Sequence, residues 1–169
     1  IRLVRIHMEE DAGKNMHLHG DDVSLVDYNR AGAPLVEIVS EPDIRSAAEA
    51  SAYMRELRTI IRYLGISDAN MEEGTMRCDA NVSLRESHDA PFGTRCEIKN
   101  LNSFRFLEAA INAEIRRQAD MLERGEPIIQ STMSYDTAND VTKVMRQETS
   151  EWIKDADNPI VAPVRKALF

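Results

Sequence analysis

The sequence predicts an α+β fold, an antiparallel sheet with flanking helices. Three observations predict it. From Thr75 to Arg85 the residues read Thr-Met-Arg-Cys-Asp-Ala-Asn-Val-Ser-Leu-Arg, apolar at every even position and polar at every odd one. That two-residue period belongs to a strand with one dry face. Thr94 to Lys99 repeats it, with Cys96 and Ile98 on the dry side and Arg95, Glu97 and Lys99 on the other, so the two segments read as an antiparallel hairpin. Two further stretches, after Ser46 and after Asn102, carry instead the three-and-four spacing of amphipathic helices.

Taken in chain order, Val4, Ile6 and Met8 alternate with Arg5 and His7 as a first strand. The chain therefore opens inside an element, as a piece of something longer would. An acidic turn is expected over His7-Met8-Glu9-Glu10-Asp11-Ala12-Gly13-Lys14, then a polar loop through Asp22 with His17 and His19. The His-x-His pair admits a zinc reading, but beside Asn and Lys a solvated pair is the simpler one. Ser24 to Tyr28 and Leu35 to Val39 suit short strands, joined by Asn29-Arg30-Ala31-Gly32-Ala33-Pro34, where Gly32 and Pro34 break any helix.

Ser46-Ala47-Ala48-Glu49 is a capping box, and a helix should run from it to about Leu64. Ala50, Met54, Leu57, Ile61 and Leu64 form its buried stripe and Gly65 its stop. Arg55, Arg58 and Arg62 border the stripe, either as a solvated flank or as contacts for RNA phosphates. After the hairpin, Asn102 or Ser103 caps a second helix with Leu107, Ile111, Ile115 and Leu122 inward, ended by Gly125-Glu126-Pro127. Ile128 to Tyr135 is a further strand. Asp136 to Phe169 holds no sustained period.

A length of 169 residues suits about one domain, and 43% hydrophobic residues suffice for a core. The formal charge of −8 argues against gripping nucleic acid by bulk electrostatics, though a local basic stripe remains compatible with it. No run reaches the roughly 18 apolar residues of a membrane span, and no signal segment opens the chain, so an intracellular protein is expected. Cys78 and Cys96 lack Cys-x-x-Cys spacing and both fall on the dry face of the hairpin. Buried reduced thiols are the expectation.

No phosphate-binding glycine loop, dinucleotide fingerprint, nucleophile elbow or zinc spacing occurs. What remains is carboxylates among cations. Any register that keeps Cys78, Ala80, Val82 and Leu84 on one face with Cys96 and Ile98 puts Asp79 and Glu97 together on the other. Facing residues lie about 5 Å apart and diagonal ones about 7 to 8 Å. Two carboxylates amid Arg77, Arg95 and Lys99 can thus hold a divalent cation, of which magnesium needs only one or two carboxylates plus waters and phosphate oxygens. An ordinary solvated sheet face is the competing reading.

Four long blocks then resemble one family. They are Asp27-Tyr28-Asn29-Arg30-Ala31-Gly32-Ala33-Pro34-Leu35-Val36-Glu37-Ile38-Val39-Ser40-Glu41-Pro42-Asp43, the segment from His7 to Lys14, Met71-Glu72-Glu73-Gly74 through Arg77 to Arg85, and Glu97-Ile98-Lys99-Asn100-Leu101-Asn102-Ser103-Phe104. Residues 1–148 resemble the catalytic cradle domain of the B subunit of the aspartyl/glutamyl-tRNA amidotransferases. Residues 149–169 form a divergent tail, since the family's Asp-Tyr-Arg-Tyr-Phe-Pro block is replaced by Thr149-Ser150-Glu151-Trp152 and unfamiliar sequence.

The resemblance implies a partial glutamine synthetase-like fold. It also implies an ATP-dependent ligase that phosphorylates the side-chain carboxylate of Glu on the glutamine tRNA, or of Asp on the asparagine tRNA. Ammonia from a partner amidase subunit then makes the amide, and a small third subunit stabilises the pair. Magnesium ligation carries over to Glu10, Asp79 and Glu97. Lys14, Arg77 and Lys99 become candidates for phosphate oxygens or for salt bridges to the neighbouring carboxylates. Arg30 and Glu37 belong to the signature as scaffold. The family's Gly-Leu-Glu-x-His strand, which supplies further metal ligands, and its tRNA-gripping helical and tail domains are not among these residues, so a non-catalytic scaffold that docks on the partner amidase is the alternative. The expected location is the bacterial cytoplasm, or a mitochondrion or plastid.

Overall fold

The computed structural model describes residues 1–17, 24–147 and 167–168. They fall into two compact units, one of residues 3–39 and one of residues 1–2 with the chain from Ser40 onward.

In the smaller unit, β1 (Leu3–Glu10) pairs with β4 (Pro34–Ser40). β2 (Lys14–His17) pairs antiparallel with β3 (Ser24–Asp27), Lys14 opposite Asp27 and His17 opposite Ser24. The expected acidic turn over His7–Lys14 is corrected. β1 continues through Glu10, and only Asp11, Ala12 and Gly13 lie between the strands. Pairing with β4 uses the backbone groups that a turn would leave open, while exposed Glu9 and Glu10 keep their water. His17 is likewise in a strand rather than a loop, and His19 lies outside the described residues.

The β3–β4 connection is hooked onto Asp11. The Asp11 N–H donates to the Ala33 carbonyl at 2.8 Å, and the Gly32 N–H donates to the Asp11 carbonyl at 2.8 Å. Gly32 has φ 78°, which a side chain would strain. Arg30 Nε lies 3.1 Å from Asp11 Oδ2, and Arg5 pairs with Glu37 at 3.0 Å across β1 and β4. Both signature residues therefore make ion pairs inside their own unit.

The larger unit is built on a five-stranded sheet of order β8-β7-β6-β5-β9, from β5 (Cys78–Val82), β6 (Cys96–Leu101), β7 (Ser131–Asp136), β8 (Val141–Gln147) and β9 (Ala167–Leu168). β5–β6 is the expected antiparallel hairpin, and β7–β8 is a second. The expected antiparallel sheet is thus present in part, while β6–β7 and β5–β9 are parallel. The helix α2 (Phe104–Glu123) lies between β6 and β7 in sequence, and such a crossover returns the chain to enter β7 in the same sense.

The strand expected from Thr75 to Arg85 shrinks to its middle. The Thr75 and Met76 amides both donate to the Asn70 carbonyl, at 3.0 and 3.2 Å, and are lost to the ladder. β8 had no sequence signal because its residues are nearly all exposed and no alternation marks them. Apart from Ala167 and Leu168, the predicted tail lies outside the described residues.

α1 (Ala47–Tyr63) starts as expected. Ser46 Oγ accepts from the Glu49 N–H at 3.1 Å, and Glu49 Oε2 accepts from the Arg45 N–H at 2.6 Å. Gly65, at φ 68°, follows its end. Ala47, Ala50, Ser51 and Met54 are buried and Leu57 packs partly buried against the core, but Leu64, the last residue of the expected stripe, is exposed.

α2 is capped by Ser103, whose Oγ accepts from the Phe106 N–H at 3.1 Å. Its inward stripe takes in the buried Glu114 and Gln118 after Ile111, Ile115 packs partly buried against the core as expected, and the expected inward position of Leu122 is corrected, since Leu122 is half exposed. The apolar core comprises Met54 of α1, Leu107 and Ile111 of α2, and the sheet residues Ala80, Val82, Cys96, Ile98 and Met133. Arg55 and Arg58 lie over the Phe104 ring at 4.8 and 6.0 Å, and the Arg58 Nε also donates to the Ala69 carbonyl, so two arginines of the flank are used in packing. No described helix is long and apolar enough to cross a membrane.

Candidate functional site

The hairpin parity places the site. Cys78, Ala80 and Val82 of β5 and Cys96 and Ile98 of β6 are buried against the helices, which turns Asp79, Asn81, Glu97 and Lys99 to the other face. Asn81 stands directly opposite Glu97. The ladder slips by one residue between Cys78 and Ala80, so that Cys78 faces Leu101. On β6 the slip falls at Asn100, whose φ of 63° is one that Asn adopts more readily than other side chains. The extra residue returns odd-numbered Leu101 to the apolar core.

Asp79 and Glu97 share a single ammonium. Lys99 Nζ lies 3.4 Å from Glu97 Oε2 and 3.8 Å from Asp79 Oδ2. The carboxylates are about one quarter exposed and the lysine somewhat more. The face is thus partly dehydrated, and charges on it interact more strongly than in open water. Arg77 precedes β5 and is exposed. Glu10 and Lys14 belong to the smaller unit, at the end of β1 and the start of β2. Among the described residues, no three His, Cys, Asp or Glu side chains form a metal-binding group.

Positive charge is held between Asp79 and Glu97 in the form of the Lys99 ammonium. Two carboxylates match the small protein share of a magnesium shell, whose remaining positions water and phosphate oxygens fill.

The parallel partner β7 widens the face. Glu97 stands opposite Thr132, and Lys99 opposite Ser134. On β8, Arg146 is opposite Thr132 and Lys143 opposite Ser134. A cross-strand row of Asn81, Glu97, Thr132 and Arg146 therefore runs beside a second of Lys99, Ser134 and Lys143. Only the β5 and β6 members are legible in the sequence. Asn81 sits in the alternation at a polar position, whereas Thr132 and Arg146 enter through a pairing that no local pattern announces.

The helix-facing side of the same sheet holds a buried charge. Glu114 is fully buried and accepts from Arg117 at 2.6 and 2.9 Å, from Gln118 at 2.8 Å and from Thr142 at 2.6 Å. Gln118 Nε2 also donates to the Val82 carbonyl at 3.0 Å. The network thereby ties α2 to β5 and β8. Burial pushes the Glu114 carboxyl up, but the hydrogen bonds from Arg117, Thr142 and Gln118 outweigh it and hold the group below its ordinary value. Cys78 and Cys96 are buried thiols. The Cys96 thiol is pushed up to about 11, first by burial and then by the Glu114 charge.

Residues 1–165 match the family model described as the GatB/GatE catalytic domain. The chain is 62% identical over 146 residues to the B subunit of the aspartyl/glutamyl-tRNA(Asn/Gln) amidotransferase of Oleidesulfovibrio alaskensis, covering 86% of this chain and 31% of that protein. The same protein of Ralstonia nicotianae is 57% identical over 148 residues, covering 88% of this chain and 30% of the relative. That of Pseudomonas fluorescens strain Pf0-1 is 55% identical over 148 residues, 88% of this chain and 31% of the relative. The chain thus spans about a third of the length of the curated relatives it matches.

Proposed function

The chain belongs to the family of the GatB/GatE catalytic domain, and from that premise we propose that it supplies the phosphoryl-transfer face of an ATP-dependent tRNA amidotransferase. The substrate is the side-chain carboxylate of Glu on the glutamine tRNA or of Asp on the asparagine tRNA. The observation that carries this reading is the pair Asp79 and Glu97, side by side on one sheet face around a single ammonium.

A free carboxylate resists attack by ammonia because its charge repels the nucleophile and oxide is a poor leaving group. Transfer of the ATP γ-phosphoryl to a carboxylate oxygen releases ADP and gives an acyl phosphate. Ammonia then attacks the acyl carbon, phosphate leaves and an amide remains. A magnesium ion bound here supplies charge neutralisation for the transferring phosphoryl group. Asp79 and Glu97 would hold it. Lys99, drawn to both carboxylates, and Arg77, just before β5, present positive charge to phosphate oxygens. The partly dehydrated face limits hydrolysis of the acyl phosphate. Ammonia comes from a partner amidase, with a small third protein completing the assembly, in the bacterial cytoplasm.

The test is calorimetric titration of magnesium, with and without ATP, into the chain and into its Asp79→Asn and Glu97→Gln variants, each shown by circular dichroism to be folded. Binding by the parent and its loss in both variants is the expected result. Folded parent protein that binds neither magnesium nor ATP would overturn the catalytic reading and leave a scaffold that docks on the partner amidase.

A further inference from the structure

Two side chains that flank Glu97 each carry a buried polar atom with no hydrogen-bond partner. Asn81 is opposite Glu97 on β5 and Thr132 opposite it on β7, so the three share one face of three adjacent strands. Asn81 is 4% exposed and Thr132 6%. Asn81 Nδ2 and Thr132 Oγ1 are both sealed from solvent with no partner in reach. A buried donor left unpaired is destabilising, and folded proteins keep few of them. Here two stand in one cross-strand row, on either side of the same carboxylate. The row ends on β8 at Arg146, opposite Thr132, which adds a cation on that side.

Donors of this kind beside a carboxylate that holds a cation suit a ligand which is anionic, rich in acceptor oxygens and partnered by that cation. A phosphoryl group has this chemistry. We propose that Asn81 Nδ2 and Thr132 Oγ1 donate hydrogen bonds to oxygens of the phosphate chain of the bound nucleotide, so that the binding site extends across β5, β6 and β7. This inference rests on the functional reading above and deepens it. The energetic sense is that the cost of two unpaired donors is built into the ligand-free fold and relieved on binding.

The experiment uses the full 169-residue chain and, as probe, magnesium with a non-hydrolysable ATP analogue. Thr132→Val replaces the hydroxyl by a methyl of similar size, and Thr132→Ser keeps the hydroxyl. Thermal melting without ligand and calorimetric affinity are both read. The expected result is that Thr132→Val melts at or above the parent temperature and binds roughly tenfold or more weakly, the loss of one hydrogen bond to a charged group. Thr132→Ser should bind close to the parent, and Asn81→Ala should weaken binding by a similar factor. A Thr132→Val chain that melts below the parent has lost a structural partner, and one that binds as tightly as the parent has lost nothing the ligand used. Either result overturns the inference while leaving the functional reading intact, provided Glu97→Gln abolishes binding. A parent that binds no analogue overturns both.

Discussion

Removing the Glu114 carboxylate tests whether the sheet is held in place from behind. In Glu114→Ala, Arg117 loses both of its bonds to the carboxylate, Gln118 keeps its bond to Val82 but loses the one to Glu114, and Thr142 loses its acceptor. Breaking a buried pair by removing one partner costs about 3–5 kcal/mol, because the other charge is left uncompensated. The Arg117 side chain is one quarter exposed and can turn partly to water, so the lower end, about 3 kcal/mol, is expected. For a domain of this size that corresponds to roughly 6–12 °C in melting temperature.

The acid limb gives a second, independent readout. The folded pKa of Glu114 lies below its unfolded value, so the unfolded chain binds more protons and stability rises with pH. The contribution is complete above the ordinary glutamate range and is lost as pH falls through the lowered folded pKa. Glu114→Gln should therefore lie furthest below the parent at neutral pH and converge on it in acid. Urea denaturation across pH measures both effects. A Glu114→Ala chain melting within about 1 °C of the parent, against the several degrees expected, or a Glu114→Gln gap that does not narrow in acid, would refute the reasoning. A paired Glu114→Leu and Arg117→Met replacement should recover much of the loss, since it leaves no charge unpaired.

Other expectations concern single backbone or side-chain features. Asn100 sits at φ 63°, so Asn100→Val should cost about 1–2 kcal/mol in urea denaturation and Asn100→Gly little. Ser46→Ala removes the acceptor for the Glu49 amide and should cost about 1 kcal/mol by the same measurement. Cys96, buried and with its thiol pushed up to about 11, should resist iodoacetamide in the native protein at about pH 8 and react once the chain is unfolded.

Local pattern was enough for the elements whose two faces differ in polarity. The alternation in β5 and β6 put Asp79 and Glu97 on one face and both cysteines on the other, and the structure has that division. Ser46, Ser103 and Gly65 marked helix ends because a cap is a chemical property of a few adjacent residues. Pattern failed where tertiary pairing supplied what the residues lacked. Glu114 sits in the inward stripe of α2 because Arg117 and Thr142 bond its carboxylate there, and Gln118 because its amide donates to Glu114 and to the Val82 carbonyl, so hydrophobic spacing passed over both and pointed on to the exposed Leu122.

The sequence by itself determined the hairpin parity, the helix boundaries and, through four long blocks, the family. The tertiary structure decided the parallel junction of β6 with β7, the one-residue slip at Asn100, and hence the row that sets Asn81 and Thr132 on either side of Glu97. The physical reason is range. Side-chain alternation and caps are set by neighbours a few residues away, whereas register and strand order are set by which surfaces pack together after the chain has crossed over through α2.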